Sequence, residues 1–217
     1  MEQNAALELT NLYEKLFSHY GDLGWWPAET VYEVIVGAVL TQNTSWANVE
    51  KAISNFGQTL TPSFVASVDI LALTEIIRPA GLSSQKAVCL KLVTEWFSQY
   101  EYSAEAVLHE PLQKARRELI SIKGIGNETA DSILLYAFGF STFVIDSYTM
   151  RLRSRYPIAC QATYMALKAH FESNLPSDAL LYNRFHSLIV ENAKLHCKKT
   201  KPVCPTCPLS SICKKLV

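Results

Sequence analysis

The stretch that decides the fold runs from Leu119 to Phe140 and reads LISIKGIGNETADSILLYAFGF. The spacing of its apolar residues predicts a helix that ends near Ile122 and a second helix that begins around Asn127. Between them, Gly124-Ile125-Gly126 predicts a tight turn, because glycine permits a positive φ and a close approach of other backbone. The face of the second helix that we expect to be buried consists of Ala130, Ile133, Leu134 and Ala137.

The turn is a candidate site for a phosphate group. Backbone amides in such a turn, and at the N-terminus of the following helix, point outward and attract anions. A Gly-x-Gly between two helices is weak evidence when it stands alone, since glycine commonly ends helices. Its neighbours here complete the pattern LxxIxGIGxxTAxxIL, the helix–hairpin–helix motif, which binds the DNA backbone without reading sequence. We therefore predict DNA contacts at Gly124, Ile125 and Gly126, with Lys123 as a phosphate contact or a solvated charge.

Four cysteines near the end of the chain have the spacing C-x6-C-x2-C-x5-C, and they are Cys197, Cys204, Cys207 and Cys213. Four thiolates held together by short loops can bind an iron–sulfur cluster or a zinc ion. Zinc sites usually consist of two CxxC pairs joined by a longer arm, so this single tetrad favours a cubane cluster. Disulfides or a chance grouping are the remaining interpretation, although only two other cysteines occur in the chain.

The loop that carries these cysteines is basic. No acidic residue follows Glu191, and the lysines around the tetrad are Lys194, Lys198, Lys199, Lys201, Lys214 and Lys215. A loop of this composition suggests that a phosphate backbone lies nearby. The formal net charge of the whole chain is zero, which argues against a surface that binds a polyanion everywhere but allows local basic patches.

Composition limits the class of protein. At 217 residues, 49% of them hydrophobic, the chain is long enough for one large domain or two small lobes. Its apolar runs are too short to span a membrane, and its N-terminus lacks the basic and apolar segments of a secretory signal. We therefore expect a cytoplasmic monomer (nucleoid-associated if bacterial) with no membrane partner. In that compartment clustered cysteines bind metal more often than they form disulfides.

Helical periodicity continues outside the hairpin. Pro27 and Thr30, a candidate N-cap, precede a helix that begins at Val31. Further apolar stripes with helical spacing run through residues 46–56, 68–78, 84–99, 104–109, 111–121, 128–138, 145–155, 161–173 and 178–195. Few segments alternate with a period of two, so the predicted fold class is all-α.

Three features occur together along the chain: the helix–hairpin–helix pattern, an aspartate some twenty residues after it (Asp146), and the cysteine tail. In this combination the sequence resembles the endonuclease III family of DNA glycosylases. The segments LTQNT at 40–44 and GLSSQKA at 81–87 are further points of resemblance.

The resemblance implies a fold of two helical lobes. One is a six-helix barrel at 25–138 that contains the hairpin at 119–137, and the other combines 1–24 with 139–217. It also implies a [4Fe–4S] cluster in the loop 197–213 and a catalytic cleft between the lobes. The implied partner is double-stranded DNA that contains a damaged base.

The resemblance also assigns roles to individual residues. Enzymes of this family cut the bond between a damaged base and its sugar after the base has been flipped into a pocket. Gln42 and Leu82 fall at positions whose side chains fill the space that the base leaves. Asp146 falls at the position of the essential aspartate, which stabilises an oxocarbenium ion and assists an attacking water. Its place before the helix 147–155 also suits an N-cap.

One departure from the family pattern decides the expected mechanism. Members that also cleave the strand carry a lysine just after the hairpin, whose amine forms a Schiff base with the sugar. The corresponding residue here is Glu128, which cannot form an imine, and Lys123 lies before the turn. We therefore expect a monofunctional glycosylase that uses water as its nucleophile and does not nick DNA efficiently.

Residues on segments expected near the cleft suggest the substrate. The adenine-specific mismatch branch has a catalytic glutamate where this chain has Gly37, which argues against that branch. Trp25, Trp26 and Trp46 are candidate pocket residues, although core packing accounts equally well for any one tryptophan. Stacked indoles attract the positive charge of an N-alkylated purine, and the WWP segment together with Glu128 resembles the bacterial 3-methyladenine glycosylase branch. A thymine or uracil mismatch glycosylase, or a DNA-binding iron–sulfur protein without catalysis, are the alternatives.

Overall fold

The computed structural model describes the backbone of residues 2–214 and the side chains of residues 5–214. All regular secondary structure in those residues is helical, and none of them forms a β-strand, which confirms the predicted all-α class. No helix there has the length and hydropathy that crossing a membrane requires. The chain divides into two compact units, one formed by Trp26–Phe140 and the other by Met1–Trp25 together with Ser141–Val217.

Twelve α-helices follow one another along the described residues: α1 (Glu2–Tyr20), α2 (Val31–Leu40), α3 (Trp46–Ser54), α4 (Pro62–Ser67), α5 (Ile70–Ile76), α6 (Ser83–Ser98), α7 (Ala104–Leu108), α8 (Leu112–Ser121), α9 (Asn127–Ser132), α10 (Ser147–Arg155), α11 (Tyr164–Asn174) and α12 (Ala179–Leu195). Short 3-10 turns occur at Gly57–Thr59 and Arg78–Ala80. At the start of α2 the Thr30 hydroxyl accepts a hydrogen bond from the Glu33 N–H at 3.1 Å, as predicted for an N-cap.

The unit Trp26–Phe140 is built around α2. Every residue of this helix from Tyr32 to Leu40 is buried except Glu33. A helix that is apolar on nearly every side has to be surrounded by other elements, and α3, α6 and α9 pack against it. The end of α2, and the loop that follows it, are therefore held from several sides.

The second helix of the hairpin changes geometry midway. α9 ends at Ser132 and the chain continues as a π-helical turn over Ile133–Ala137, whereas periodicity predicted one helical stripe across 128–138. Tyr136 is half-buried, and the buried residues of the turn are Ile133, Leu134, Leu135 and Ala137. A π turn contains an extra residue and so changes the direction of the side chains that follow. Such turns occur frequently at functional sites.

The unit of Met1–Trp25 and Ser141–Val217 has a core of its own. Leu9, Leu12 and Leu16 of α1 are fully buried, and α1 packs against α11 and α12. The Phe143 ring stacks on the Phe171 ring with centroids 4.2 Å apart. Because α12 also packs against α10, it lies beside both the first helix of the chain and the helix that Asp146 begins.

Candidate functional site

The hairpin between α8 and α9 is closed by a residue that packs inward. The Ile125 N–H donates to the Ile122 carbonyl at 3.0 Å, and the Ile125 side chain is buried. Gly124 has φ +99°, and a Cβ there would lie 3.2 Å from the Cys89 Sγ, so this position requires glycine. Ile125 is a predicted DNA contact, but its N–H already donates within the turn and its side chain is buried.

Gly126 differs from Gly124 in what it requires. It is the N-cap of α9, with φ −96° and ψ −177°, an extended conformation that any residue adopts. A Cβ at Gly126 would meet nothing within 4 Å. Glycine permits a positive φ at both positions, but of the two only Gly124 adopts one. Gly126 and Lys123 are exposed, so the surface beside the turn offers room for a ligand.

Two loops of the same unit carry the residues predicted to fill the space left by a base. The Gln42 Nε2 donates to the Gly124 carbonyl at 2.9 Å and to the Thr129 hydroxyl at 2.8 Å, which attaches the loop after α2 to the hairpin. Leu82 precedes α6 with φ 48° and ψ 34°, and it is 56% exposed. A left-handed conformation costs a non-glycine residue about 1–2 kcal/mol. Leu82 is therefore an apolar projection held in a strained conformation.

Trp26, Trp46 and Tyr136 form an aromatic cluster in this unit. The ring centroid of Trp26 lies 5.2 Å from that of Trp46, edge to face, and 5.1 Å from that of Tyr136. The Trp26 indole also lies against α2, because a Cβ on Gly37 would come within 3.3 Å of it. The sequence does not mark Tyr136, which has the spacing of an ordinary helical residue there. It reaches Trp26 from the π-helical turn.

Trp25 and Glu128 are the remaining predicted pocket residues. Trp25 belongs to the other unit, where the Lys194 ammonium lies 5.2 Å from its ring centroid, a cation–π contact. Glu128 is exposed in the first turn of α9, where the helix dipole favours a carboxylate. Two of the predicted pocket residues, Trp26 and Trp46, are in direct ring contact.

Asp146 is a buried carboxylate at the N-cap of α10. Its Oδ1 accepts hydrogen bonds from the Thr149 N–H at 2.7 Å and the Thr149 hydroxyl at 2.9 Å, and its Oδ2 lies 3.6 Å from the His186 Nε2. Burial raises the pKa of Asp146, but His186 and the two donors of Thr149 outweigh it and hold that pKa below its ordinary value of 3.8. His186 stands far along the chain on α12, so no local motif in the sequence marks it.

The four cysteines of the C-terminal loop line a single cavity. All six cysteines of the chain lie within the described residues, and none forms a disulfide. The loop is held by two arginines of α10. The Arg151 Nε donates to the Cys197 carbonyl at 2.7 Å, and the Arg155 Nη1 donates to the Lys198 carbonyl at 2.7 Å and lies 3.4 Å from the Cys197 Sγ. Helix α10 therefore carries Asp146 at its N-terminus and the contacts to the cysteine loop in its later turns.

Four thiols can hold either a zinc ion or an iron–sulfur cluster. The described residues contain no preassembled group of three or more His, Cys, Asp or Glu side chains that could hold a metal ion. None of the residues that line the cavity is acidic, and they include Leu152, Pro202 and Leu209. An apolar cavity with four thiols suits such a cluster.

The lysines that the sequence places around this loop are at the surface. The exposed ones are Lys194, Lys198, Lys199, Lys201 and Lys214. Lys215 lies outside the described residues. Their positions leave the loop with a basic surface.

An all-helical framework with this hairpin, a capped buried aspartate and a four-cysteine loop defines the helix–hairpin–helix class of DNA glycosylases. Residues 36–177 match the HhH-GPD superfamily of base excision DNA repair proteins. A protein of Methanocaldococcus jannaschii that carries the provisional name DNA repair glycosylase is 44% identical over 98% of this chain and 99% of its own length. The chain belongs to the HhH-GPD superfamily and is a DNA glycosylase of base excision repair.

Solved structures share the fold. A 3-methyladenine DNA glycosylase of H. pylori, bound to 1,N6-ethenoadenine, matches with a TM-score of 0.73 and 29% identity over 88% of this chain and 97% of that one. A non-covalent endonuclease III–DNA complex matches with a TM-score of 0.79 and 22% identity over 99% of this chain and 96% of that one. The predicted membership of an endonuclease III-like family is confirmed.

Proposed function

We propose that this glycosylase removes an N-alkylated purine, such as 3-methyladenine, from double-stranded DNA and leaves the abasic strand uncut. The observation that carries the proposal is the aromatic cluster of Trp26, Trp46 and Tyr136 beside Gly37. Alkylation of a ring nitrogen gives the purine a positive charge, and the faces of aromatic rings attract that charge. The similarity to a 3-methyladenine DNA glycosylase supports the same class of substrate.

Asp146 is proposed as the catalytic carboxylate. The positive charge of an alkylated purine already weakens its glycosidic bond, so the main requirement is to stabilise the sugar cation that forms as the bond breaks. A carboxylate whose pKa lies below its ordinary value is ionised at neutral pH and meets this requirement. Thr149 occupies Oδ1, which leaves Oδ2, beside His186, to accept a proton from the attacking water.

Water is proposed as the nucleophile because of what stands after the hairpin. Glu128 occupies the position at which strand-cleaving relatives carry a lysine, and a carboxylate cannot form a Schiff base. Lys123 stands before the turn and is exposed, where its ammonium suits a phosphate contact. Glu128 adds negative charge that favours a cationic base.

The proposed DNA-binding surface combines the hairpin with Gln42 and Leu82, the two plug residues. The backbone around Gly126 and the Lys123 ammonium bind a phosphate, and Gln42 and Leu82 fill the gap left by the flipped base. The exposed lysines of the cysteine loop add contacts to the DNA backbone. Cys197, Cys204, Cys207 and Cys213 would hold a [4Fe–4S] cluster, which would cross-link this loop through its four thiolates. The protein acts as a cytoplasmic monomer.

The experiment that tests the proposal separates base release from strand cleavage. Duplexes containing 3-methyladenine, 7-methylguanine, uracil, thymine opposite guanine, or an oxidised pyrimidine are incubated with the protein, and free base and strand breaks are measured in parallel. The expected result is release of alkylated purine from an intact strand, with a loss of at least about 100-fold in Asp146→Asn.

Three other outcomes would contradict parts of the proposal. Release of uracil or thymine without alkylated purine would favour a mismatch glycosylase. No release from any duplex would indicate a DNA-binding protein without catalysis. A covalent complex trapped with borohydride would overturn the assignment of water as the nucleophile.

A further inference from the structure

Lys86 is a lysine whose ammonium group is enclosed by the protein. The residue is 2% exposed, and its Nζ donates to the Leu40 carbonyl and to the Ala80 carbonyl, both at 2.8 Å. Leu40 is the last residue of α2, and Ala80 is the last residue of the 3-10 turn Arg78–Ala80. One ammonium group therefore binds the C-terminal carbonyls of two helical segments, where the partial charge is negative.

Packing alone does not explain a charge at this position. The Lys86 ammonium donates to two backbone carbonyls, and both are neutral. Burial lowers the pKa of Lys86, because removal from water disfavours the charged form. A buried charge that is not paired with an opposite charge costs free energy. A role that would account for the Lys86 charge is keeping the Leu40 and Ala80 carbonyls at a fixed distance from each other.

The two carbonyls stand next to the two residues proposed to enter the DNA. Gln42 follows Leu40 by two residues, and Leu82 follows Ala80 by two residues. We propose that Lys86 is a positioning residue that fixes the separation of Gln42 and Leu82, so that both side chains fill the space left by a flipped base. The role rests on the proposed function, because it requires that these two side chains act on DNA.

A matched control lies on the same helix, α6. The Lys91 Nζ donates to the Ala66 carbonyl at 2.9 Å and also to the Val68 carbonyl. Lys91 thus bridges two backbone carbonyls as Lys86 does, but its segment carries no proposed plug residue. Lys86→Met and Lys91→Met each remove an ammonium group and keep a long unbranched side chain.

The measurement is the affinity for a duplex with a stable abasic-site analogue, divided by the affinity for the same duplex undamaged. We expect this ratio to fall about tenfold in Lys86→Met and to stay unchanged in Lys91→Met. An unchanged ratio in Lys86→Met would overturn the role. Circular dichroism melts establish that each variant is folded. Should Lys86→Met fail to fold, Lys86→Gln, which keeps a shorter donor, takes its place with the same expectation.

A double-mutant cycle with Leu82→Ala distinguishes positioning from a merely structural role. If Lys86 acts through Leu82, Leu82→Ala should lower the ratio of abasic to undamaged affinity by a smaller factor in the Lys86→Met background than in wild type. In the Lys91→Met background, Leu82→Ala should lower that ratio by the same factor as in wild type. Additive effects of Lys86→Met and Leu82→Ala would overturn the positioning role.

The wild-type protein separates this inference from the proposed function. A wild type that does not prefer the abasic analogue over undamaged DNA would overturn both. A wild type that prefers it, together with additive effects in the cycle, would overturn the role of Lys86 alone.

Discussion

The side-chain amide of Gln42 joins two loops that lie 82 residues apart in sequence, since its Nε2 donates to the Gly124 carbonyl at 2.9 Å. The same nitrogen donates to the Thr129 hydroxyl at 2.8 Å. Both amide hydrogens of Gln42 are thus used by the hairpin, and its Oε1 is the atom that can accept a hydrogen bond from a ligand. Changes in the hairpin and changes at Gln42 should therefore affect each other.

Gln42→Glu should lower the free energy of unfolding by about 1–3 kcal/mol. The reason is that a carboxylate would face the Gly124 carbonyl with no hydrogen to donate. Unfolding in urea at neutral pH measures the change. Gln85→Glu makes the same chemical substitution at an exposed position of α6, and it should change the free energy by no more than about 0.5 kcal/mol. Equal losses in the two variants would contradict the linking role of Gln42.

Gly126→Ala should separate DNA binding from folding. Because a Cβ at Gly126 meets nothing in the protein, the free energy of unfolding should change by less than about 1 kcal/mol. The added methyl group should nevertheless weaken binding to duplex DNA, since it would stand where we propose that a phosphate approaches the turn. Urea unfolding and a DNA-binding titration check the two effects, and undiminished DNA affinity would count against a phosphate at this turn.

Gly124→Ala is the informative comparison for that variant. Here φ +99° and the nearby Cys89 both oppose a side chain, so the fold should lose about 1–3 kcal/mol. A smaller loss than in Gly126→Ala would contradict the positive φ of Gly124 and its close approach to Cys89.

The ionised Asp146 should make the protein less stable in acid. Its pKa in the folded protein lies below the ordinary value of 3.8, so its stabilisation is present above that value and is lost as the pH falls through the lower folded-state pKa. Asp146→Asn should therefore lose less unfolding free energy than wild type between about pH 5 and pH 2. Urea unfolding at a series of pH values measures this, and curves of equal slope for the two proteins would refute it.

His186→Gln should move the same acid transition. Burial is the largest influence on the pKa of Asp146 and raises it, and His186 is the first of the groups that lower it. With His186 replaced, the pKa of Asp146 rises and the loss of stability begins at a higher pH. An acid transition at the wild-type position would mean that Thr149 alone keeps Asp146 ionised.

Loss of one cysteine ligand should remove a chromophore. We expect the purified protein to be brown, with broad visible absorption from iron and sulfide. Cys204→Ser should lose both the absorption and the iron. Cys160→Ser changes a half-buried cysteine outside the four-cysteine cavity and should keep both. A colourless wild type with one zinc per chain would overturn the cluster.

Several features follow from short-range patterns alone. The helical class, the N-caps at Thr30 and Asp146, and the turn at Gly124 each depend on residues within one or two helical turns. Capping, periodicity and the conformational freedom of glycine act over that range, so they can be read along the chain. The cysteine spacing is likewise local, and together with the hairpin it was sufficient to identify the family.

Other features depend on which distant side chains meet. The sequence treats Gly124 and Gly126 alike, but the protein's own packing against Cys89 constrains one and leaves the other open. The π-helical turn that carries Tyr136 does not disturb the apolar pattern that predicted a helix there.

Long-range polar contacts also depend on tertiary packing and not on local sequence. His186 beside Asp146, and Lys86 between the ends of two helical segments, have no periodic or spacing signal in the sequence. Burial sets their energies, because a charge or a hydrogen bond counts for more once water is excluded. Burial in turn is decided only when the helices pack in three dimensions. Local patterning was therefore enough for the class of protein and its main motifs. Tertiary packing decided which side chains contact the Asp146 carboxylate and the carbonyls of Leu40 and Ala80.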